Sequence, residues 1–249
     1  MGTTESALTT TESALTKRRT TDEQAFAGGV DPAFDGSYQK WLTDTEPRRF
    51  PGWTVIAPVP RGSAAMDALQ GVVADLAADF GAGQFSRHPA ASMHMTVFPG
   101  MNEAFSDNAR DIPDWVGAGM TLPQICREAL ARVEAAGLPE IGPVDIEVED
   151  VVVDGNAKAL VRPVEEARLR EFRDLVAEAT GWRRVDHDDY VFHVSLGYLL
   201  KKHELSEERR HELAAGYAAR LKGLGTITLD RPAFSVFDGM VSFPPILEF

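Results

Sequence analysis

Apolar residues recur along the chain in two patterns, one alternating as in a strand and one spaced as on one face of a helix. The two patterns predict strands and helices that follow one another. Val144, Ile146 and Val148 alternate with acidic residues, which is the pattern of a half-exposed strand. From Met66 to Phe80 the apolar positions recur at helical spacing, and Ser63 is placed to cap that helix. By the same criteria we predict further helices at 122–136, 165–180 and 206–222, and strands at 54–59, 93–98, 144–153, 157–164, 190–200, 225–230, 233–238 and 241–247.

These elements occur in the order strand, helix, strand, helix, strand, once before residue 156 and once after it. The pattern predicts an α+β fold built by duplication, with a hairpin turn at Asp154 and Gly155 joining the two series. Residues 1–30 contain a Thr-rich tandem repeat and are predicted to be a flexible tail without a catalytic role. Residues 31–52 are predicted to be an arm laid over the domain, and the long loop at 100–120 to be a lid.

One short phrase occurs twice, 99 residues apart, as HMTV at 94–97 and HVSL at 193–196. Side chains alternate between the two faces of a strand, so His94 and Thr96 point to one face, as do His193 and Ser195. The apolar residues between them point to the other face. We therefore expect each phrase to present an imidazole and a hydroxyl on one face and to contribute to the core with the other.

Two phrases of this type on predicted strands resemble the signature of the 2H phosphoesterase superfamily. The surrounding stretches PGWTVI at 51–56, SMHMTVF at 92–98 and DHDDYVFHVSLGY at 186–198 resemble an uncharacterised branch of it. The resemblance spans roughly residues 35–247. It implies a bilobal domain at 31–249 with two pseudo-symmetric lobes, about 53–155 and about 156–249, each an antiparallel sheet with flanking helices, around a central cleft.

The resemblance also implies a hydrolase that opens 2′,3′-cyclic nucleotides or related phosphodiester ends of RNA. His94 and His193 are the expected catalytic residues, because an imidazole with a pKa of ~6.5 serves as general base when neutral and as general acid when protonated. Which of the two is the acid stays open. Thr96 and Ser195 are expected to donate hydrogen bonds to the phosphate oxygens. No metal and no cofactor are expected.

Further contacts with the substrate are expected from Arg61, Lys158 and Arg162 as phosphate ligands, although ordinary surface charge explains them equally well. Phe98 shares the predicted face of His94, so it either stacks on a base or closes the core at the strand end. Tyr198 falls on the face opposite His193 and is predicted to pack.

A second pair of histidines lies six positions upstream of the two phrases, at His88 and His187, and a structural role is favoured for both. The acidic run at 186–189 provides carboxylates and an imidazole, which are metal ligands. A solvated turn is the favoured interpretation of this run. A metal-dependent hydrolase that uses it remains an alternative.

The charge and composition of the chain limit the kinds of partner that it is expected to bind. The net charge is −13 and the pI is near 4.9, so the basic surface needed to follow long nucleic acid is missing. The apolar runs are shorter than the ~20 residues that a membrane span needs, and the single Cys126 fits a reducing compartment. We expect a cytoplasmic monomer without membrane association whose partner is a small nucleotide or a short RNA end. The alternative function is a module that senses such ligands with little turnover.

Overall fold

A computed structural model describes residues 40–105, 109–201 and 205–249. The predicted tail at 1–30 lies outside these ranges. Within them the α+β fold is confirmed, with four α-helices and a strongly curled antiparallel sheet. The helices are α1 (Ala64–Phe80), α2 (Leu122–Ala136), α3 (Glu166–Thr180) and α4 (Glu207–Lys222). The strands are β1 (Gly52–Pro58), β2 (His94–Phe98), β3 (Ala109–Asp111), β4 (Val144–Val153), β5 (Asn156–Pro163), β6 (Arg183–Arg184), β7 (His193–Tyr198), β8 (Thr226–Leu229), β9 (Ala233–Phe237) and β10 (Pro245–Glu248).

The helices begin and end at residues suited to those positions. At the start of α1, the Ser63 hydroxyl accepts a hydrogen bond from the Met66 amide at 3.1 Å, which satisfies an amide that has no partner inside the helix. At the start of α2, the Gln124 side chain accepts from the Thr121 amide at 2.8 Å. Gly137 ends α2 in the left-handed conformation, with φ of 58°, which glycine adopts without steric cost.

The eight long strands form one sheet in the order β10-β9-β1-β2-β7-β5-β4-β8. The two strands that carry the repeated phrase, β2 and β7, are therefore neighbours at its centre. They run antiparallel, with Met95 opposite Val194. The short strands β3 and β6 pair separately.

The grouping of strands differs from the predicted division at residue 155. The tight turn at Asp154 and Gly155 makes β4 pair with β5, so β4 lies in the half of the sheet that contains β7. In the other half, β9 from the end of the chain pairs with β1. Each half of the sheet thus contains strands from both halves of the sequence, and the division of the domain into lobes about 53–155 and about 156–249 does not follow the strand pairing.

The two faces of the central strands have different surroundings. Met95 and Val194 are 0% and 1% exposed and belong to the main core, which the helices cover. On the other face lies a smaller apolar cluster that includes Trp41 and Phe50 from the described part of the predicted arm. This second face is only partly covered, and it carries the polar residues of both phrases.

Candidate functional site

The sheet brings the four polar residues of the two phrases together. Because Met95 lies opposite Val194 in an antiparallel pair, continuing the register by one residue on each side places His94 opposite Ser195 and Thr96 opposite His193. All four residues are partly exposed, whereas the residues between them are buried. Two imidazoles and two hydroxyls thus occupy one patch on the open face of the sheet.

Each imidazole is held by the same local hydrogen bond. Nδ1 of His94 donates to the carbonyl oxygen of Ser92 at 2.8 Å, and Nδ1 of His193 donates to the carbonyl oxygen of Val191 at 2.9 Å. A carbonyl oxygen only accepts, so the proton of each neutral ring lies on Nδ1. Nε2 of both rings is therefore left with a lone pair for proton transfer.

Burial lowers the pKa of both imidazoles. The pKa of His94 falls to about 4, chiefly through desolvation; the bond to Ser92 opposes this effect and the nearby His193 adds to it. The pKa of His193 is also lowered, first by desolvation, against the bond to Val191, and then by Lys158 and other cations. Both rings are therefore neutral at pH 7 before a ligand binds. The unperturbed imidazole pKa of ~6.5 predicts one neutral and one protonated ring near neutral pH, and burial shifts both rings away from this value.

The walls of this patch come from segments distant in sequence. The ring of Phe243 meets that of His94 edge-on, with centroids 4.3 Å apart, and the ring of Tyr190 lies 6.1 Å from that of His193. From the arm, Nζ of Lys40 donates to the hydroxyl of Tyr198 at 2.9 Å. The sequence alone does not predict Lys40 and Phe243 as site residues, because their contacts with the motif strands span long stretches of chain.

A β-bulge removes Phe98 from the site. Val55 pairs with Phe98 but Ile56 pairs with Thr96, so β2 has one extra residue and its alternation of faces is broken there. Phe98 consequently turns to the core, where it is 1% exposed and stacks on Trp53 at 5.8 Å. The prediction that Phe98 contacts a substrate base is wrong, and its alternative role in closing the core is what the structure has.

A second bulge moves Tyr198 in the opposite direction. Ala157 pairs with Gly197 but Lys158 pairs with Ser195, which again leaves one extra residue, here in β7. Tyr198 therefore joins the apolar cluster on the open face together with Phe243. The prediction that Tyr198 faces away from His193 is wrong, although its ring does pack.

The three predicted cationic contacts lie in different surroundings. Lys158 is directly opposite Ser195 on the neighbouring strand, so it borders the patch. Arg162 lies farther along the same strand and is paired with two carboxylates, those of Glu147 and Glu149. Arg61 is exposed in the turn after β1. The structure thus brings only Lys158 next to the histidines and hydroxyls.

Residues 40–152 match a protein-family model named 2H-phosphodiest, which is described as a domain of unknown function (DUF1868). The resemblance to the 2H phosphoesterase superfamily is thereby confirmed. This match suggests a phosphoesterase hydrolase with phosphodiesterase activity. No curated protein sequence shows significant similarity to the chain.

A solved structure of another protein shares the fold. The conserved protein of unknown function ATU0111 from Agrobacterium tumefaciens str. C58 superposes with a TM-score of 0.73 and 22% identity, over 89% of this chain and 94% of that one. E. coli LigT, solved in apo form and complexed with phosphate, has a TM-score of 0.44 and 8% identity, over 81% of this chain and 98% of LigT. In the described part of the chain, no helix has the length and apolar character that a membrane crossing requires.

The two upstream histidines occupy unlike positions. His88 is buried beside the site, where its Nδ1 bonds the Ser92 hydroxyl at 3.1 Å and burial lowers its pKa to about 3. His187 lies on the opposite, helix-covered side, with Nε2 at 2.8 Å from a carboxylate oxygen of Asp174. Their equal spacing in sequence therefore does not reflect equal places in the fold.

The acidic run at 186–189 is engaged by arginines. Arg184 binds Asp186 at 2.9 Å, and Arg110 binds Asp188 at 2.8 Å. Across residues 40–105, 109–201 and 205–249, no three His, Cys, Asp or Glu side chains are grouped so that they could hold a metal ion.

Arg173 joins the two motif segments from behind the patch of histidines and hydroxyls. Its guanidinium is 1% exposed and donates to the carbonyl oxygens of Val97, in β2, and of His187, upstream of β7. It also lies over the ring of Tyr190 at 4.4 Å, and that ring borders His193. Arg173 thus connects the segments that position both imidazoles.

Trp115 from the predicted lid lies on the helical side of the domain. Its indole nitrogen donates to the carbonyl oxygen of Thr180 at 2.7 Å, and the guanidinium of Arg132 lies 5.0 Å from its ring. Trp115 therefore packs against α2 and α3 and not over the open face of the sheet.

Proposed function

We propose that the protein is a metal-independent phosphodiesterase that hydrolyses a cyclic nucleotide of the 2′,3′ type or a short RNA phosphodiester. The observation that supports this proposal is the pairing of β2 with β7, which places two Nδ1-protonated imidazoles on one open face. Two bases with free Nε2 atoms are what general acid–base hydrolysis of a phosphodiester requires.

In this scheme one imidazole accepts a proton from water through Nε2 while the water oxygen forms a bond to phosphorus. The other imidazole, protonated at Nε2, donates its proton to the leaving oxygen as the bond from that oxygen to phosphorus breaks. The two rings exchange protonation states over one cycle, so a return proton transfer through solvent completes it. Thr96 and Ser195 donate hydrogen bonds to the non-bridging oxygens, where negative charge develops.

The acid must first take up a proton, because both pKa values are lowered in the free protein. A bound phosphodiester anion favours the charged imidazole, and so it raises the pKa of the ring that it contacts. Substrate binding therefore favours protonation of the histidine that acts as the general acid. Lys158 and Lys40 add positive potential near His193 within a chain of net charge −13, which favours an anionic ligand at this place.

The test is hydrolysis of 2′,3′-cyclic nucleotides and a short RNA with a cyclic phosphate end in the presence of chelator, with products identified by phosphorus NMR. We expect His94→Ala and His193→Ala each to lose about 10²- to 10⁴-fold in kcat, and the double variant to lose far less than the product of the two. The matched control is His211→Ala, since His211 is exposed on α4 and should leave the rate unchanged.

Full activity of either variant would refute the catalytic pair. Loss of wild-type activity with chelator, restored by a metal, would refute the metal-independent scheme. Tight binding of these nucleotides without product over hours would instead favour a nucleotide or RNA-end sensing module.

A further inference from the structure

Two lysines approach the site from different elements. Lys158 lies on β5 directly opposite Ser195, and Lys40 comes from the arm that packs on the open face. Both are partly buried, and both lower the pKa of His193 by electrostatic repulsion. Lys158 borders Ser195 and Lys40 contacts Tyr198, and both of these residues belong to β7, the strand that carries His193.

Lys40 is held in place by neutral groups. Its ammonium donates to the Tyr198 hydroxyl at 2.9 Å and lies 4.7 Å from the centre of the Tyr198 ring and 5.6 Å from that of Phe50. These contacts orient the cation without neutralising it. Neighbouring Trp41, which is 1% exposed, anchors this end of the arm.

Among the described residues, neither lysine forms an ion pair with an acidic side chain. Of the ion pairs among residues 40–105, 109–201 and 205–249, none includes Lys40 or Lys158, whereas the other nearby cation, Arg184, is bound to Asp186 through two nitrogens. In a chain with 38 acidic and 25 basic residues, two partly buried lysines without carboxylates side by side indicate a place for an external anion.

A single phosphodiester does not account for this charge. It carries one negative charge, and the scheme above already directs a protonated imidazole and two hydroxyls at it. The lysines lie on the His193 side of the site, because Lys158 is on β5, which pairs with the strand of His193 and not with that of His94, and Lys40 contacts Tyr198 on that same strand. The excess positive charge is therefore displaced to one side of the patch.

We propose that Lys40 and Lys158 form a second anion-binding subsite beside His193, and that the substrate carries another phosphate in addition to the phosphodiester that is cleaved. A 5′-phosphorylated nucleoside 2′,3′-cyclic phosphate, or an oligonucleotide ending in a cyclic phosphate, has this chemistry. The inference rests on the proposed function in placing the cleaved group between His94 and His193.

The experiment compares adenosine 2′,3′-cyclic phosphate with its 5′-phosphorylated form, at low and at moderate salt. We expect kcat/KM to be at least about tenfold higher for the 5′-phosphorylated substrate, because an added charge-assisted contact is worth that much or more. The preference, taken as the ratio of the two kcat/KM values within each variant, should fall in Lys40→Met and Lys158→Met and vanish in the double variant, whatever the change in kcat/KM for the unphosphorylated substrate. Lys222→Met, at an exposed position on α4, is the control and should keep the full preference.

A binding measurement keeps the two proposals separable. Calorimetry with adenosine 2′-monophosphate and adenosine 2′,5′-bisphosphate reports the subsite even in a protein that turns nothing over. Absence of hydrolysis with a lysine-dependent preference for the bisphosphate would overturn the proposed function and sustain the subsite. Equal affinities and equal kcat/KM values for each pair of compounds, or a preference that persists in the double variant, would overturn the subsite.

Discussion

Gly197 allows β7 to approach the segment before β2, and Gly197→Ala should be strongly destabilising. A β-carbon at this position would lie 2.1 Å from the carbonyl oxygen of Ser86 and 2.5 Å from the Phe85 ring. The oxygen cannot simply move away, because the Ser86 amide donates to the carbonyl of Tyr198 at 2.8 Å and the Ser86 hydroxyl accepts from the Tyr198 amide at 2.9 Å. Relief of the clash must therefore lengthen these hydrogen bonds.

The magnitude follows from two contributions. Forcing an extra methyl group into a packed site costs about 1–3 kcal/mol, and a contact this short with backbone belongs at the upper end. Weakening one or two buried hydrogen bonds adds about 1 kcal/mol each. We expect a loss of about 4–5 kcal/mol in the free energy of unfolding, which lowers Tm by about 8–20 °C in a chain of this size.

Urea unfolding, followed by circular dichroism, measures this change directly. The matched control is Gly216→Ala, at an exposed position inside α4 where an added β-carbon meets nothing within 4 Å. It should stabilise the protein by about 0.5–1 kcal/mol, because alanine is the better helix former. An unfolding midpoint of Gly197→Ala equal to that of the wild type would refute the close approach described here.

Three more predictions concern titration and packing. Both imidazole pKa values are lowered, that of His94 to about 4. We therefore expect kcat/KM to peak below pH 6.5 and to fall at higher pH, because the histidine that acts as the acid loses its proton. An optimum above pH 7 would contradict this. Phe98→Ala should cost about 3–5 kcal/mol of stability and leave KM for nucleotides nearly unchanged, whereas a base-stacking residue would raise KM. The pKa of His88 is about 3 in the folded protein, so below about pH 6.5 the imidazole binds a proton in the unfolded chain but stays neutral in the folded one. The free energy of unfolding should therefore decrease as the pH falls from about 6.5. In His88→Gln, urea titrations at several pH values should show a flatter decline, and an unchanged slope would count against the buried neutral imidazole.

The sequence predicts the exact bounds of a helix or strand where a clear apolar pattern stops at a glycine or a turn. The helix Leu122–Ala136 ends at Gly137, and the strand Val144–Val153 ends at the Asp154–Gly155 turn, both with the predicted bounds. Alternation along the strands likewise predicts that His94 and Thr96, or His193 and Ser195, share a face.

The same alternation fails a few residues farther along each strand. Counting faces from His94 to Phe98, or from His193 to Tyr198, assumes an unbroken pleat, and a bulge in each strand reverses the outcome. A bulge depends on how neighbouring strands are aligned, which a single strand's sequence does not encode. Lys40 was missed for a related reason, because its contact with Tyr198 spans 158 residues of chain and has no local pattern.

The pairing of β9 with β1 bears on how this protein is made. One edge of strand β1 pairs with the first motif strand, β2, but its other edge stays open until residues 233–237 have left the ribosome. A nascent chain that stalls before that point presents unsatisfied backbone groups along β1, which invites association with other chains. A premature stop codon that removes only β9 and β10 would accordingly produce aggregation rather than a shortened, partly functional protein.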